Sequence, residues 1–432
     1  MSKKHIAILG AGHAGLEAAL TAARQTDRVT LISDRDPGDW IKMLPSRSWL
    51  AAIEQSLSST RPPFSDGEST PEPIETDILF ENIRRTTASW NAGIQGQISD
   101  AGITVVSGRG SFVSESTLRV SDESTGEEVT ADAFVVCASS KPFFPPGFEP
   151  DGKQVFSSGT AELLTNIPKT MIAVGDGAVG FEFVDIFSFL GVSMVWVGPP
   201  AGPQSRFDAK ADELLLDVYR KRGVEIVGKP FARELVRSDD GILLRFEDDT
   251  ELKAETAYIN FGHRPATQDI DLESAGVACN ERGQPTVNAY GQTSQSHIYL
   301  AGDVSGAPSA TSGLIQGNLA VRHVLGLKVD PFDFSKTPYC FDLNPQVVRI
   351  GNIEDESLNT CEAPYSACLV SHVNFDRGGF VRICWNDEGQ VVAGVAAGRN
   401  ATEALAGVSM AVQGRIVAGG TSRYDGTTSD VW

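Results

Sequence analysis

Ile6-Ala7-Ile8-Leu9-Gly10-Ala11-Gly12-His13-Ala14-Gly15 decides the fold. Residues 5–9 are an apolar run short enough for a buried strand, and the glycines that follow keep the spacing G-x-G-x-x-G. Each glycine has its own task. Gly10 permits the tight turn, Gly12 lets the backbone approach a pyrophosphate, and Gly15 lets the next helix lie close on the strand, its N-terminus aimed at the phosphates. The helix is expected through about Arg24 and a second strand at 29–32. The pattern recurs: a strand at 171–174, the turn Gly175-Asp176-Gly177-Ala178-Val179-Gly180, a helix at 181–190 and a strand at 192–197. Two strand–turn–helix–strand units in one chain predict an α/β protein with two dinucleotide-binding domains of the doubly wound kind.

Working outward, the second strand of the first unit should end in an acid that holds a ribose. Ser33 stands at the usual spacing and Asp34 follows, so both are candidate binding residues, Asp34 foremost. Residues 59–77 are rich in Pro, Ser and acids and read as an exposed loop. Residues 78–98 read as helix, 103–137 as alternating strands, 207–222 as an amphipathic helix and 224–227 as a strand. Residues 296–303 read as a strand ending in Asp303. From about 336 the composition changes, with strands expected around 345–351, 366–374 and 380–395 and a helix at 401–415.

Bulk properties narrow the function. The chain has 432 residues, 41% hydrophobic and 21% charged, with a formal net charge of −20. Such a surface repels nucleic acid and anionic membranes, so neither is an expected partner. No apolar run approaches the roughly 18 residues that span a bilayer. The stretch after Lys3 and Lys4 is too short for a signal-peptide core, so a cytoplasmic location is expected. The six cysteines, Cys137, Cys279, Cys340, Cys361, Cys368 and Cys384, form no C-x-x-C pair and read as reduced thiols, with no metal site.

In this order, these segments resemble the pyridine nucleotide–disulfide oxidoreductases over nearly the whole chain. The doubled glycine turn carries the resemblance, with Gly262-His263-Arg264-Pro265, Leu300-Ala301-Gly302-Asp303 and residues 341–354. The resemblance implies FAD at the first turn and NAD(P)H at the second, a homodimer, and a C-terminal α+β interface domain. It divides the chain into 1–148 (FAD domain, first part), 149–266 (NAD(P) domain), 267–335 (FAD domain, second part) and 336–432 (dimerisation). It adds Gly302, Asp303, Ala310, Gly262 and Ser139, beside Gly10, Gly12, His13, Ala14, Gly15, Gly175, Gly177 and Gly180, as cofactor-binding residues. Ser139 stands where the family has glycine.

The departures from the family pattern locate the chemistry. Leu44-Pro45-Ser46-Arg47 matches the stretch after the family's redox disulfide, which puts Gly38 and Met43 where its two cysteines stand. Neither can form a thiolate. Gly38, Met43 and Pro45 would then bound a pocket that Trp40, Ile41 and Met43 line with apolar surface, with Met43 a candidate catalytic residue and Pro45 a candidate cofactor-binding one. Asp425 and Asp430 replace the His and Glu of the family's C-terminal motif, and two neighbouring carboxylates can share a proton. Glu182 keeps the family's position after the second turn, where its partner is a Lys; Arg47 would be that partner here and would act through its charge alone. After 192–197 an acid would favour NAD and basic residues NADP, and Gly198-Pro199-Pro200-Ala201-Gly202 supplies neither, although Arg206 lies near.

The leading expectation is an NAD(P)H-linked flavoprotein reductase that passes hydride through flavin to a non-disulfide acceptor: a quinone or other conjugated small molecule, or a second nicotinamide. Two alternatives stay open. One is an FAD-dependent oxidase or dehydrogenase of a specialised metabolite with Asp425 as base; the other is a non-catalytic flavin-binding protein.

Overall fold

The computed structural model describes residues 4–35, 49–51, 76–121, 126–205, 207–230, 232–281, 284–307, 309–373 and 377–414. The chain forms two compact units. The first comprises Met1–Ile41, Arg84–Pro142 and His263–Phe334; the second comprises Lys42–Ile83, Phe143–Gly262 and Ser335–Trp432.

The first unit is built on a five-stranded parallel sheet in the order Ile298–Leu300, Ala133–Val136, Ile6–Leu9, Val29–Ser33, Thr104–Ser107. Its two innermost strands, Ala133–Val136 and Ile6–Leu9, are apolar at every position because both faces are covered. Ile6, Ile8, Leu31 and Val135 point to one face, against Leu16, Ala18 and Ala19 of the His13–Ala23 helix and Ala320 and Val321 of the Ala310–Val324 helix. Ala7, Leu9, Ile32, Phe134 and Val136 point to the other, against Phe112, Leu118 and Val120 of a three-stranded antiparallel ladder. Each Val, Leu, Ile or Phe side chain among these, taken from water, contributes about 1.5–3 kcal/mol.

The second unit repeats the design in the order Glu225–Gly228, Ser193–Gly198, Thr170–Val174, Thr256–Ile259, Val155–Phe156, again parallel. Met171, Ala173 and Trp196 meet Phe181, Val184 and Phe187 of the Gly177–Phe189 helix, and Ile172, Val174 and Val197 meet Ile242, Leu244 and Phe246 of a second antiparallel ladder. The same unit holds a five-stranded antiparallel sheet, Tyr339–Phe341, Gln346–Ile350, Val391–Gly398, Gly379–Trp385, Asn359–Pro364. Its Phe341, Val347, Phe380 and Val395 join the helix-covered core.

Two sequence expectations need correction. The helix after the second turn starts at Gly177, not 181, because the turn passes straight into helix behind Asp176. Over its described residues the stretch expected as a strand around 366–374 is not one: Tyr365–Ala367 is a 3-10 turn and Leu369–Val373 a short helix, and the edge strand is Asn359–Pro364. That edge strand is exposed throughout, so it lacks the apolar alternation that marks a half-buried strand.

Candidate functional site

The first turn is shaped by steric necessity. Gly10 has φ +103°, and a methyl group built on it would lie 2.4 Å from the carbonyl oxygen of Cys137, the residue that follows the neighbouring strand. On Gly15 the methyl would lie 1.8 Å from the Gly10 carbonyl oxygen, which fixes how closely the helix sits on the turn. On Gly12 it would meet nothing within 4 Å. The His13–Ala23 helix has no side-chain cap and no acid in its first turn. Open space before bare helix amides fits a pyrophosphate. Ala14 faces the Ala310–Val324 helix, where a methyl on Gly317 would lie 2.2 Å from the Ala14 carbonyl oxygen.

Around that turn, Ser33 ends its strand buried, and its carbonyl accepts from Gly108 N–H. The exposed Asp34 pairs with Arg109 at 3.1 Å, a surface pair worth about 0–1 kcal/mol. Gly302, at φ +83°, donates its N–H to Oε1 of the buried Gln316 at 2.9 Å. Asp303 accepts from Ser140 Oγ at 2.7 Å, and Ala310 is the first residue of its helix. Ser139 is exposed, and its carbonyl accepts from Ala266 N–H. Burial holds the His263 imidazole below its usual range, although Asp303 pulls the other way.

The second turn keeps the same frame. Gly175 has φ +108°, and a methyl on it would lie 1.8 Å from the carbonyl oxygen of Asn260. Gly177, at φ +75°, faces open space, and Asp176 does not cap the helix with its side chain. Gly180 differs from Gly15, for a methyl there stays 3.4 Å from the Gly175 carbonyl oxygen. Asn260 holds the turn by donating Nδ2–H to the Asp176 carbonyl at 2.9 Å, and Trp196 Nε1–H donates to the Gly175 carbonyl at 2.8 Å. Gly262, at φ +82°, accepts from Phe143 N–H through its carbonyl.

Glu182 is half-buried on the Gly177–Phe189 helix. Burial pushes the Tyr219, Tyr258 and Tyr339 phenols up, and the Glu182 charge adds to it. One turn further, the fully buried Asp185 pairs with Arg222 at 2.6 Å and accepts from Asn344 N–H at 3.1 Å, while Arg222 donates to the Asn344 carbonyl at 2.8 Å. Burial raises the Asp185 carboxyl and Arg222 opposes it.

Gly38, Trp40, Ile41, Met43, Pro45, Arg47, Arg206, Asp425 and Asp430 lie outside the described residues, as do residues 59–75. The sequence reading does not single out Ser140, Gln316 or Asn260. Gln316 leaves a trace: it is a polar residue on the buried stripe that Gly313, Gly317 and Ala320 make at helical spacing. Among the described residues no cluster of three His, Cys, Asp or Glu side chains is placed to hold a metal ion, and no helix is long and apolar enough to cross a membrane.

Two parallel sheets, each with a glycine turn at the end of its middle strand, fit a protein that binds two dinucleotides. Comparison gives the class its name: residues 4–321 match the pyridine nucleotide-disulphide oxidoreductase family, and the chain belongs to it. It is an oxidoreductase and a flavoprotein that uses FAD and NAD(P)H. The chain is 28% identical to an NAD(P)H dehydrogenase (quinone) of Mycobacterium tuberculosis over 440 aligned residues, 95% of this chain and 88% of the relative. It is 25% identical to a dihydrolipoyl dehydrogenase of Bacillus subtilis, over 95% of this chain and 90% of that one. The crystal structure of LpdA from Mycobacterium tuberculosis superposes with a TM-score of 0.88 at 26% identity, covering 96% of this chain and 94% of that one.

Proposed function

We propose that the chain passes hydride from NAD(P)H, by way of FAD, to a small conjugated acceptor of the quinone kind rather than to a disulfide. The balanced reaction consumes NAD(P)H, one proton and the quinone, and yields NAD(P)⁺ and the hydroquinone. FAD, when bound, supplies the ring that takes the hydride and hands two electrons on. One observation carries the choice of acceptor: no cysteine precedes Cys137 in the chain. Cys137 is itself buried against the first turn, and burial pushes its thiol far up, so it offers no thiolate at neutral pH. The similarity to an NAD(P)H dehydrogenase (quinone) supports the same reading.

The protein's part is to hold and orient. In this reading Gly10, Gly12 and Gly15 receive the FAD pyrophosphate on the first helix, with Asp34 on the ribose side. Asp303, steadied by Ser140, and Gly302, steadied by Gln316, hold the flavin end. Gly175, Gly177 and Gly180 receive the nicotinamide coenzyme, and Glu182 keeps a negative charge on that helix for a cationic partner. The homodimer and the four-part domain division remain parts of the same proposal.

The test is an anaerobic titration of the FAD-loaded protein. NADH or NADPH should bleach the flavin absorbance, and a water-soluble quinone should restore it over repeated cycles. Lipoamide and glutathione disulfide should leave it bleached. Steady turnover of either disulfide would overturn the proposal.

A further inference from the structure

In a dinucleotide-binding unit, the residue that ends the second strand is the one that reads the adenosine ribose. At the second turn that residue is Gly198. A methyl group built on Gly198 would lie 2.7 Å from both the nitrogen and Cγ of Pro203, so the proline ring already fills the space a side chain there would need. The loop reaches this position through a turn at Gly202, φ +89°, whose N–H donates to the Pro199 carbonyl at 2.7 Å.

Further bonds pin the loop on both sides. Gln204 accepts through its carbonyl from Gly177 N–H at 3.2 Å, and Lys229 N–H donates to the Gly198 carbonyl at 3.1 Å. The Pro200 carbonyl oxygen lies 2.7 Å from where a methyl on Gly228 would sit. Beyond the loop, Ser205 N–H donates to the buried Asp212 at 3.0 Å, Arg349 donates to the Phe207 carbonyl at 3.0 Å, and Asp208 pairs with Arg382 at 2.6 Å while capping the Ala209–Lys221 helix. The anchored segment 199–204 is Pro, Pro, Ala, Gly, Pro, Gln. It offers no carboxylate to a ribose diol and no cation to a 2′-phosphate. Lys229, which follows the adjoining strand, directs its ammonium to Asp248 and Thr250.

We infer that the second nucleotide site does not read the adenosine 2′ position, and that Pro203 is the specificity-determining residue because its ring excludes a ribose-reading side chain at 198. The inference rests on a nicotinamide coenzyme binding at the Gly175–Gly180 turn. Discrimination between the 2′-hydroxyl and the 2′-phosphate comes from a charge that attracts one and repels the other. With neither charge in the loop, NAD and NADP should compete for one site at comparable affinity.

The experiment is calorimetric titration of the FAD-loaded protein with NAD⁺ and with NADP⁺, which reads binding without hydride transfer. Dissociation constants within tenfold of each other support the inference. A larger preference either way, or binding of neither, overturns it. The same titration on Arg206→Ala should leave the ratio in place, and a shift beyond tenfold would overturn the claim that the loop alone sets it. Gly198→Glu with Pro203→Gly should gain at least a tenfold preference for NAD⁺, whereas Gly198→Glu alone should weaken both coenzymes together. A single Gly198→Glu variant that already prefers NAD⁺ would remove Pro203 from the role. Equal binding supports the inference even where neither reduced coenzyme bleaches the flavin, a result that would overturn the proposed reaction instead.

Discussion

The two glycine turns share a sequence fingerprint and hold together differently. At both, the first glycine is forced by a positive φ and by the carbonyl that follows the neighbouring strand, Cys137 in one and Asn260 in the other. The third glycine diverges. At Gly15 the helix rests directly on the Gly10 carbonyl, whereas at Gly180 the space allows a methyl group beside the Asn260 side chain. The anchoring of the helices diverges as well. The first lies on the Ala310–Val324 helix through small residues, Ala14 on Gly317, and the second is tied to the C-terminal segment by the buried Asp185–Arg222–Asn344 cluster. The lesson is that one motif records two requirements: a positive φ at the first glycine, common to both turns, and local packing, which each neighbourhood settles for itself.

The comparison can be broken at its charged end first. Asp185→Ala leaves Arg222 mostly buried without its carboxylate, which should cost about 3–5 kcal/mol. Chemical denaturation should show this as an earlier transition, and a wild-type midpoint would mean that the cluster does not anchor the second helix. Next come the third glycines. Gly15→Ala forces a methyl into a backbone carbonyl and should cost about 1–3 kcal/mol or more, with loss of bound FAD read from the visible spectrum. Gly180→Ala meets only ordinary contact distance and exchanges glycine for a better helix former, so it should be neutral or stabilising by up to about 1 kcal/mol. Equal damage from the two would erase the distinction drawn above. The smallest effect belongs to Asp176, which places a carboxylate at the helix start where the coenzyme phosphates should lie. Removing that charge in Asp176→Asn should tighten coenzyme binding by roughly two- to fivefold, from about 0.3–1 kcal/mol at a helix N-terminus. Fluorescence titration at low and high salt would read it, and weaker binding by the variant would show that the carboxylate assists instead.

The turns were legible because sterics leave glycine as the residue that fits at Gly10, Gly15 and Gly175, and the innermost strands of the first sheet were legible because burial on both faces favours apolar runs. Other features depend on partners remote in sequence. Nothing near Asp34 announces Arg109, and nothing near Asp303 announces Ser140; these pairs exist only once the strands are side by side. Residues 366–374 misled for a different reason. Their apolar Leu369 and β-favouring Val370 and Val373 are exposed on a short helix, so composition stood in for burial where there was none. Gly198 was read as the absence of a ribose acid, but its physical cause, the Pro203 ring, needed the folded loop.

The contact between Ala14 and Gly317 also has a consequence for synthesis. The first unit closes its sheet with Ile298–Leu300 and its helix layer with Ala310–Val324, so its core is incomplete until the ribosome has made about three hundred residues beyond the opening turn. At roughly 5–20 residues per second that is a wait of about 15–60 s. The parallel sheet of the second unit has its last strand, Thr256–Ile259, well before then. Its helix-covered core, however, also needs Phe341, Val347, Phe380 and Val395, so the first unit should gain protease resistance on the nascent chain before the second. Limited proteolysis of chains arrested at successive lengths would reveal the order, and simultaneous protection of the two would refute it.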